Sequence, residues 1–252
     1  MKKRVNVPLL IITAFLFTSK DAFAMHISEG ILPPTEAILT AILALPFVVI
    51  GLYSIYRLKK NNPLFVPLIG LIGAAVFVIS AFPIPVPIAG TCSHPAGTGL
   101  AAIVLGPFVS TVVACISLLI QALFMAHGGL TTLGANTLTM GVAGSFFGYL
   151  FYKFCRKLNL SIFISAFVAG FVADIVTYAA TAVILAFALS PDFLPAIKEI
   201  SIAFVPTQIP LGLLEGVITG YAVKYIHIHK PELMEFGKSM ISLNNLSCEK
   251  NF

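Results

Sequence analysis

The sequence predicts an all-α, polytopic membrane protein with about six or seven transmembrane helices. Hydrophobic residues make up 58% of the 252-residue chain and charged residues only 10%, whereas soluble domains are about 25% charged. Long apolar runs without the alternation of a half-buried strand indicate spanning helices, because a helix satisfies its own backbone hydrogen bonds in lipid. The formal charge of +5 is concentrated at the start of the chain and in short loops, so it does not indicate a nucleic-acid partner.

The first 24 residues have the pattern of a cleaved signal peptide. Basic residues Lys2 to Arg4 precede an apolar run over 7–17, and small residues stand at Ala22 and Ala24. We therefore expect cleavage after Ala24. The expected organisation is a signal peptide over 1–24, a membrane-embedded region over 25–228 and a loosely ordered cytoplasmic tail over 229–252.

Basic residues orient the predicted spans. Arg57 to Lys60 separate the first two spans, which we place at 35–58 and 64–82. The positive-inside rule assigns this loop to the cytoplasm and the mature N-terminus to the outside. Three later spans complete the bundle, at 137–154, 161–189 and 208–225. An outer loop over 191–206 precedes the last of them.

The segment 97–124 is predicted to be a broken helix. Read as one span, it would place Lys153 and Arg156 outside the cell, against the positive-inside rule. A break at Gly106-Pro107 restores their orientation. The first piece is then about nine residues, or ~14 Å, long and cannot cross a ~30 Å hydrocarbon core.

The processed N-terminus is predicted to chelate a metal ion. Cleavage after Ala24 frees the amine of Met25, so that this amine, the backbone nitrogen of His26 and the His26 imidazole can close two chelate rings. His94 lies between a proline-rich loop and a glycine-rich helix start on the same outer face; it is either a fourth nitrogen ligand or a loop histidine packed on the surface. Four roughly planar nitrogens suit Ni(II) and Cu(II), and metal uptake should weaken in acid because neutral imidazole is the binding form.

Three further residues are candidate supports for these ligands: His127, Ser93 and Asn136. His127 lies on the same outer face and is either a ligand or a helix C-cap that hydrogen-bonds a carbonyl. Ser93 adjoins His94, and Asn136 follows in the segment after His127. His227 and His229 lie on the cytoplasmic side, where they cannot capture an external ion.

Three motifs resemble the CbiM family and its relative NikM: Met25-His26-Ile27-x-Glu29-Gly30, Ser93-His94-Pro95-x-Gly97-Thr98-Gly99, and the run from His127 to Thr137. The resemblance implies the substrate-binding subunit of an energy-coupling factor transporter in the cell (inner) membrane. It implies capture of Co²⁺ or Ni²⁺ from outside through Met25, His26 and His94, and it implies no enzymatic activity and no catalytic cofactor. The implied partners are a CbiN-like small subunit, a CbiQ-like coupling protein and CbiO-like ATPases. The chain has no Walker A pattern, which agrees with ATP hydrolysis by a partner.

The cargo and the function class leave alternatives open. The Met-His-Ile-x-Glu-Gly opening is typical of the cobalt members, so we expect Co²⁺ import for cobalamin synthesis, although planar nitrogen geometry favours nickel. An integral-membrane metalloenzyme is the alternative from another class, but its His-Glu-x-x-His pattern is absent. A third alternative is a stand-alone channel or carrier. Unlike the subunit of an energy-coupling factor transporter, it would need no ATPase for uptake.

Two acidic residues, Asp174 and Glu215, fall within predicted spans. Intramembrane carboxylates face the bundle interior and commonly serve function. They are either a second metal site on an inward path or hydrogen-bonding groups between helices, with Gln208, Thr177 or Tyr178 as partners. We favour the hydrogen-bonding role.

Overall fold

The computed structural model describes residues 23–24, 26–81, 84–86 and 91–235. Most of the predicted signal peptide, Met25 and the tail beyond residue 235 lie outside these ranges. The helices are α1 (Pro34–Asn61), α2 (Phe65–Ala81), α3 (Thr98–Leu105), α4 (Pro107–Phe124), α5 (Leu133–Asn136), a π-helix (Thr137–Gly144), α6 (Ser145–Lys157), α7 (Ile162–Leu189), α8 (Phe193–His229) and a 3₁₀ helix (Pro231–Glu235).

Four helices of the described chain, α1, α4, α7 and α8, are long and apolar enough to cross a membrane. Helix α2 is apolar and 17 residues long, and α5 continues through the π-helix into α6 with helical backbone angles at both junctions. Large apolar side chains such as Ile38, Leu39 and Ile42 of α1 are exposed, as expected for a surface that faces lipid. The prediction of a polytopic helical membrane protein is confirmed.

The predicted break at Gly106-Pro107 is also confirmed. Helix α3 ends at Leu105, and α4 begins at Pro107. Gly106 has φ of 88°, a conformation that glycine adopts without steric cost, and proline is well suited to the first position of the next helix. All eight residues of α3 are buried. At ~1.5 Å per residue it spans only ~12 Å, so it ends inside the bundle.

The predicted outer loop over 191–206 is wrong beyond residue 192. Helix α8 begins at Phe193 and continues through Pro206 and Pro210. Prolines are tolerated inside membrane helices because neighbouring helices can compensate for the lost backbone hydrogen bonds. Helix α8 packs closely on α7, through contacts that pair Gly212 with Phe171, Gly216 with Phe167 and Gly220 with Phe163.

A small sheet, one strand of which belongs to the predicted signal peptide, precedes the loop that carries His94. Its strands are β1 (Phe23–Ala24), β2 (Ile84–Val86) and β3 (Thr91–Ser93), in the order β1-β3-β2. Strand β1 is parallel to β3 and β2 is antiparallel to it.

The first residues after α8 are ordered rather than loose. The 3₁₀ helix over 231–235 packs on the bundle, and Met234 is buried in the main apolar cluster. That cluster centres on α3, with contributions from α2 and α4. The expected loose tail can therefore begin no earlier than residue 236.

Candidate metal centre

Three histidines from separate segments meet at one end of the helix bundle. His26 precedes α1, His94 lies between β3 and α3, and His127 follows α4. The ring centroid of His26 is 4.2 Å from that of His94 and 4.9 Å from that of His127, and the last two are 4.9 Å apart. One nitrogen from each ring lies within 4.8 Å of the other two.

The ring nitrogens of this cluster are short of hydrogen-bond partners. His94 is 2% exposed, and neither of its ring nitrogens has a hydrogen-bond partner among the described residues; His127 Nε2 also has none there. A buried polar atom left unpaired costs roughly 1–3 kcal/mol, and nearly all such atoms in folded proteins find a partner. A metal ion held between the rings would accept these lone pairs.

Gln121 determines which nitrogen of His26 is free. Its Oε1 lies 3.2 Å from His26 Nε2, and its Nε2 donates to Ser80 Oγ at 2.7 Å. A carbonyl oxygen only accepts hydrogen bonds, so His26 Nε2 carries the proton and Nδ1 keeps its lone pair. Nδ1 is the nitrogen that can close a six-membered chelate ring with the histidine's own amide nitrogen. Metal-binding histidines commonly donate their second N–H in this way.

Burial keeps the three imidazoles neutral. Loss of water contact lowers the pKa of His26 well below its usual value, with repulsion from His94 and His127 adding to the effect. Burial, followed by repulsion from His127, lowers the pKa of His94 to about 3. Burial also lowers the pKa of His127. All three rings therefore present lone pairs at neutral pH, which is the metal-binding form.

Asn136 supports the segment after His26 rather than a histidine ring. Its Oδ1 accepts from Ile27 N at 2.9 Å, and its Nδ2 donates to Ile27 O at 3.0 Å. Thr132 Oγ1 donates to the same carbonyl at 2.6 Å. These bonds fix the backbone that leads from His26 into α1, so Asn136 is a supporting residue.

His127 belongs to the cluster. Within the described residues its Nε2 has no carbonyl partner of the kind that the predicted C-cap requires. Two glycines after it let its loop close over the N-terminal segment. Gly128 has φ of 80° and lies against His26, and a Cβ at Gly129 would be 2.3 Å from Glu29 Oε2. Glu29 Oε2 in turn accepts from Thr131 N at 3.2 Å, and the Thr131 hydrogen bonds lower the Glu29 pKa.

Helices α7 and α8 hold the His94 loop. Tyr178 OH donates to His94 O at 2.9 Å. Glu215 accepts from Ala96 N at 2.6 Å and from Gly97 N at 2.9 Å. Its carboxylate thus stands at the N-terminus of α3, where the helix dipole favours negative charge. Glu215 therefore has the hydrogen-bonding role that we favoured. Its partners are backbone N–H groups of the His94 loop rather than Gln208, Thr177 or Tyr178.

Two other sequence-derived residues have different positions. Ser93 Oγ accepts from Gln208 Nε2 at 2.7 Å, so it ties the loop to α8. Asp174 is fully buried, and both of its carboxylate oxygens lack a hydrogen-bond partner in the described chain. The expected hydrogen-bonding role is therefore not observed for Asp174. Met25 lies outside the described residues.

Two residues that contact the histidines were not predicted from the sequence to do so. Gln121 bonds the His26 ring, and Tyr178 bonds the His94 carbonyl. Gln121 is a fully buried amide, six positions before His127, in a helix whose other polar side chains are small hydroxyls. That local signal makes it a candidate, because polar side chains in spanning helices face partners inside the protein. Nothing in the sequence indicated that His26 was its partner.

Comparison with known proteins identifies close relatives. The family model described as "CbiM: Cobalt uptake substrate-specific transmembrane region" matches residues 26–233. A protein of Geobacter sulfurreducens named "Cobalt transport protein CbiM" is 50% identical over 215 residues, which is 84% of this chain and 62% of that protein. A protein of the same name from Sorangium cellulosum is 47% identical over 213 residues, or 84% of this chain and 95% of that one.

Two crystal structures have a similar fold. One, described as a truncated transition metal transporter, has a TM-score of 0.72 and 28% identity over 81% of this chain and 99% of its own. The other, described as a transition metal transporter, has a TM-score of 0.71 and 27% identity over 85% of this chain and 99% of its own.

Proposed function

The chain belongs to the CbiM family, and we propose that it captures external Co²⁺ for import by an ATP-driven energy-coupling factor transporter. It is a membrane transport component and not an enzyme, so the metalloenzyme alternative falls away. The observation that carries the proposal is the cluster of His26, His94 and His127, in which one nitrogen of each ring lies within 4.8 Å of the others. Both ring nitrogens of His94 and Nε2 of His127 have no hydrogen-bond partner among the described residues.

The proposed ligands are the freed amine of Met25, the amide nitrogen and Nδ1 of His26, and the imidazole of His94. We add His127 as a further nitrogen ligand, because its ring centroid lies 4.9 Å from those of both His26 and His94. Two nitrogens bound to one metal at ~2.1 Å can be at most ~4.2 Å apart. The present spacing of up to 4.8 Å requires only a small contraction when the ion enters.

Nitrogen ligands support a first-row transition metal as cargo. Mg²⁺ and Ca²⁺ prefer oxygen ligands, so this cluster should ignore them. Affinity alone favours nickel and copper over cobalt. We propose Co²⁺ because the relatives are named as cobalt transport proteins, and Ni²⁺ import remains the alternative that the planar chelate favours.

The orientation and the partners complete the proposal. Basic residues occupy the last turns of α1 and α6, at Lys59, Lys60, Arg156 and Lys157. By the positive-inside rule these ends are cytoplasmic, which leaves the histidine cluster outside. The energy would come from CbiO-like ATPases through a CbiQ-like coupling protein, with a CbiN-like small subunit, and the cobalt would serve cobalamin synthesis.

The decisive experiment is radiolabelled Co²⁺ uptake by cells that express the chain with these partners. His94→Ala should abolish uptake because it removes a direct metal ligand, while membrane insertion persists. The matched control is His229→Ala, since His229 is exposed and bonds only within α8, to Tyr225 O at 3.0 Å. Normal uptake by His94→Ala would contradict the proposed site, and ATP-independent uptake by the chain alone would favour a carrier.

A further inference from the structure

Asp174 is a buried carboxylate that nothing in the described chain compensates. It lies in the middle of α7 with no exposed surface, and neither oxygen has a hydrogen-bond partner. Burying an isolated ionised carboxylate is very costly, so such groups are paired, bind a cation or are protonated. Acidic residues inside a membrane bundle are retained where they serve an ion path.

The Asp174 carboxylate packs against α8 at Gly212. A Cβ at Gly212 would lie 3.2 Å from Asp174 Oδ2, so the carboxylate fills the space that this glycine leaves. Gln208 and Glu215 lie about one turn to either side of Gly212 on the same face of α8. Gln208 Oε1 is also buried without a partner, because the amide nitrogen of the same side chain donates to Ser93 Oγ.

Glu215 adds a second carboxylate, whose oxygens have lone pairs that are free to bind a cation. Each of its oxygens accepts one backbone N–H, and each carboxylate oxygen can accept two. The carboxylates of Asp174 and Glu215 are near enough to repel each other when both are ionised. A cation between them would remove that repulsion.

This pocket lies on the inward side of the histidine cluster. Tyr178, one turn further along α7 than Asp174, is level with His94, to whose carbonyl it donates. Four helical residues rise ~6 Å. Helix α7 begins just after the basic end of α6, so Asp174 is displaced from His94 towards the basic, cytoplasmic side of the bundle.

We propose that Asp174, Gln208 and Glu215 form a second site for a divalent cation, with oxygen ligands, immediately inward of the histidine cluster. Its existence does not depend on the proposed cobalt import. The role of this site in transport does depend on cobalt import. A transition metal that moves from nitrogen to oxygen ligands is held less tightly, as release towards the cytoplasm requires.

Mn²⁺ is the probe for this site, because it suits oxygen ligands and its free form is counted by electron paramagnetic resonance. The processed, full-length protein in nanodiscs is first loaded with one equivalent of Ni²⁺ to fill the nitrogen ligands and is then titrated with Mn²⁺. We expect one bound Mn²⁺, lost in Asp174→Asn and retained in Glu199→Gln, whose residue is exposed on the same α8. Equal Mn²⁺ binding by wild type and Asp174→Asn, or none by wild type, overturns the proposal and leaves Asp174 as a protonated acid.

A second variant covers the outcome in which Asp174→Asn does not fold. Gly212→Ala leaves both carboxylates in place but crowds Asp174 Oδ2 and Phe171 Cδ2, which would lie 3.2 and 3.1 Å from the new methyl group. We expect folded Gly212→Ala protein to bind Mn²⁺ more weakly than wild type. Unchanged binding in this variant would overturn the proposal.

The same titration separates this proposal from that of cobalt capture. His94→Ala protein, without Ni²⁺, should still bind Mn²⁺ in an Asp174-dependent way. In cells, Asp174→Asn should capture Co²⁺ with wild-type affinity but import it more slowly. Normal uptake by His94→Ala would refute the capture site alone, whereas Asp174-independent Mn²⁺ binding would refute the second site alone.

Discussion

His26 and Gln121 form a buried hydrogen bond, 3.2 Å long, between residues 95 positions apart in the chain. The bond assigns the proton of His26 to Nε2 and leaves Nδ1 for a metal. It therefore links a buried side chain in the last turn of α4 to the chemistry of the N-terminus.

Gln121→Leu should weaken Co²⁺ binding by roughly 10- to 100-fold, the usual cost of removing a hydrogen-bond partner of a metal-binding histidine. The leucine leaves the buried His26 N–H unpaired and its ring free to rotate. Gln121→Glu keeps a hydrogen-bond acceptor at the same place, so this variant should lose less Co²⁺ affinity than Gln121→Leu. Isothermal titration calorimetry on purified protein measures both, and wild-type affinity in Gln121→Leu would show that Gln121 does not orient the ring.

Insertion of one residue between Ala24 and Met25 should destroy the proposed chelate. Cleavage after Ala24 would then place His26 at the third position, so the rings with the terminal amine could not form as before. We expect metal binding to be lost, and N-terminal sequencing to confirm that the wild-type protein begins at Met25. The variant's own N-terminus must be sequenced as a control, and undiminished affinity in a correctly processed variant would refute the chelate.

Proton release on metal binding should distinguish the terminal chelate from a site of three imidazoles alone. Since burial lowers the pKa of His26, His94 and His127, these rings are less protonated at pH 6.5 than free imidazole and release fewer protons on binding than it would. The terminal amine, with a usual pKa of ~7.7–8.0, and the His26 amide would together release about two. Calorimetry at pH 6.5 in two buffers of different ionisation enthalpy counts the protons, and a value near zero would contradict the chelate.

The same pKa shifts set the acid limit of binding. A lowered pKa means that protons compete for an imidazole only below that value, which is about 3 for His94. A loss of Co²⁺ affinity between pH 8 and 6 would therefore come from proton release by the terminal amine and the His26 amide rather than from the His94 ring. A His127→Ala variant with the same pH profile as wild type in this range would be consistent with that origin. A pH dependence that vanishes in this variant would contradict it.

Gly134→Ala should destabilise the protein by about 1–3 kcal/mol, the usual effect of overpacking. A Cβ at Gly134 would lie 2.4 Å from Ala41 Cα and 2.6 Å from Ala41 N, so α5 would be pushed away from α1 and Asn136 away from Ile27. Gly70→Ala is the matched control, since nothing lies within 4 Å of a Cβ there and alanine favours a helix. Thermal unfolding in detergent compares the two, and equal melting temperatures would contradict the tight α1–α5 contact.

The sequence by itself determined the features that depend on neighbouring residues along the chain. Hydropathy identified the spanning helices because lipid selects apolar side chains wherever they occur. Gly106-Pro107 predicted a break because both residues act on their own backbone. Hydropathy and charge also placed His26, His94 and His127 on one face of the membrane.

Only the tertiary structure decided how these histidines are arranged and what holds them. The bonds from His26 to Gln121 and from Tyr178 to the His94 carbonyl join residues 95 and 84 positions apart, and such pairings depend on how helices pack rather than on local preference. Packing also overrode the local signal of Pro206, because the close fit of α8 against α7 outweighs the loss of one backbone hydrogen bond.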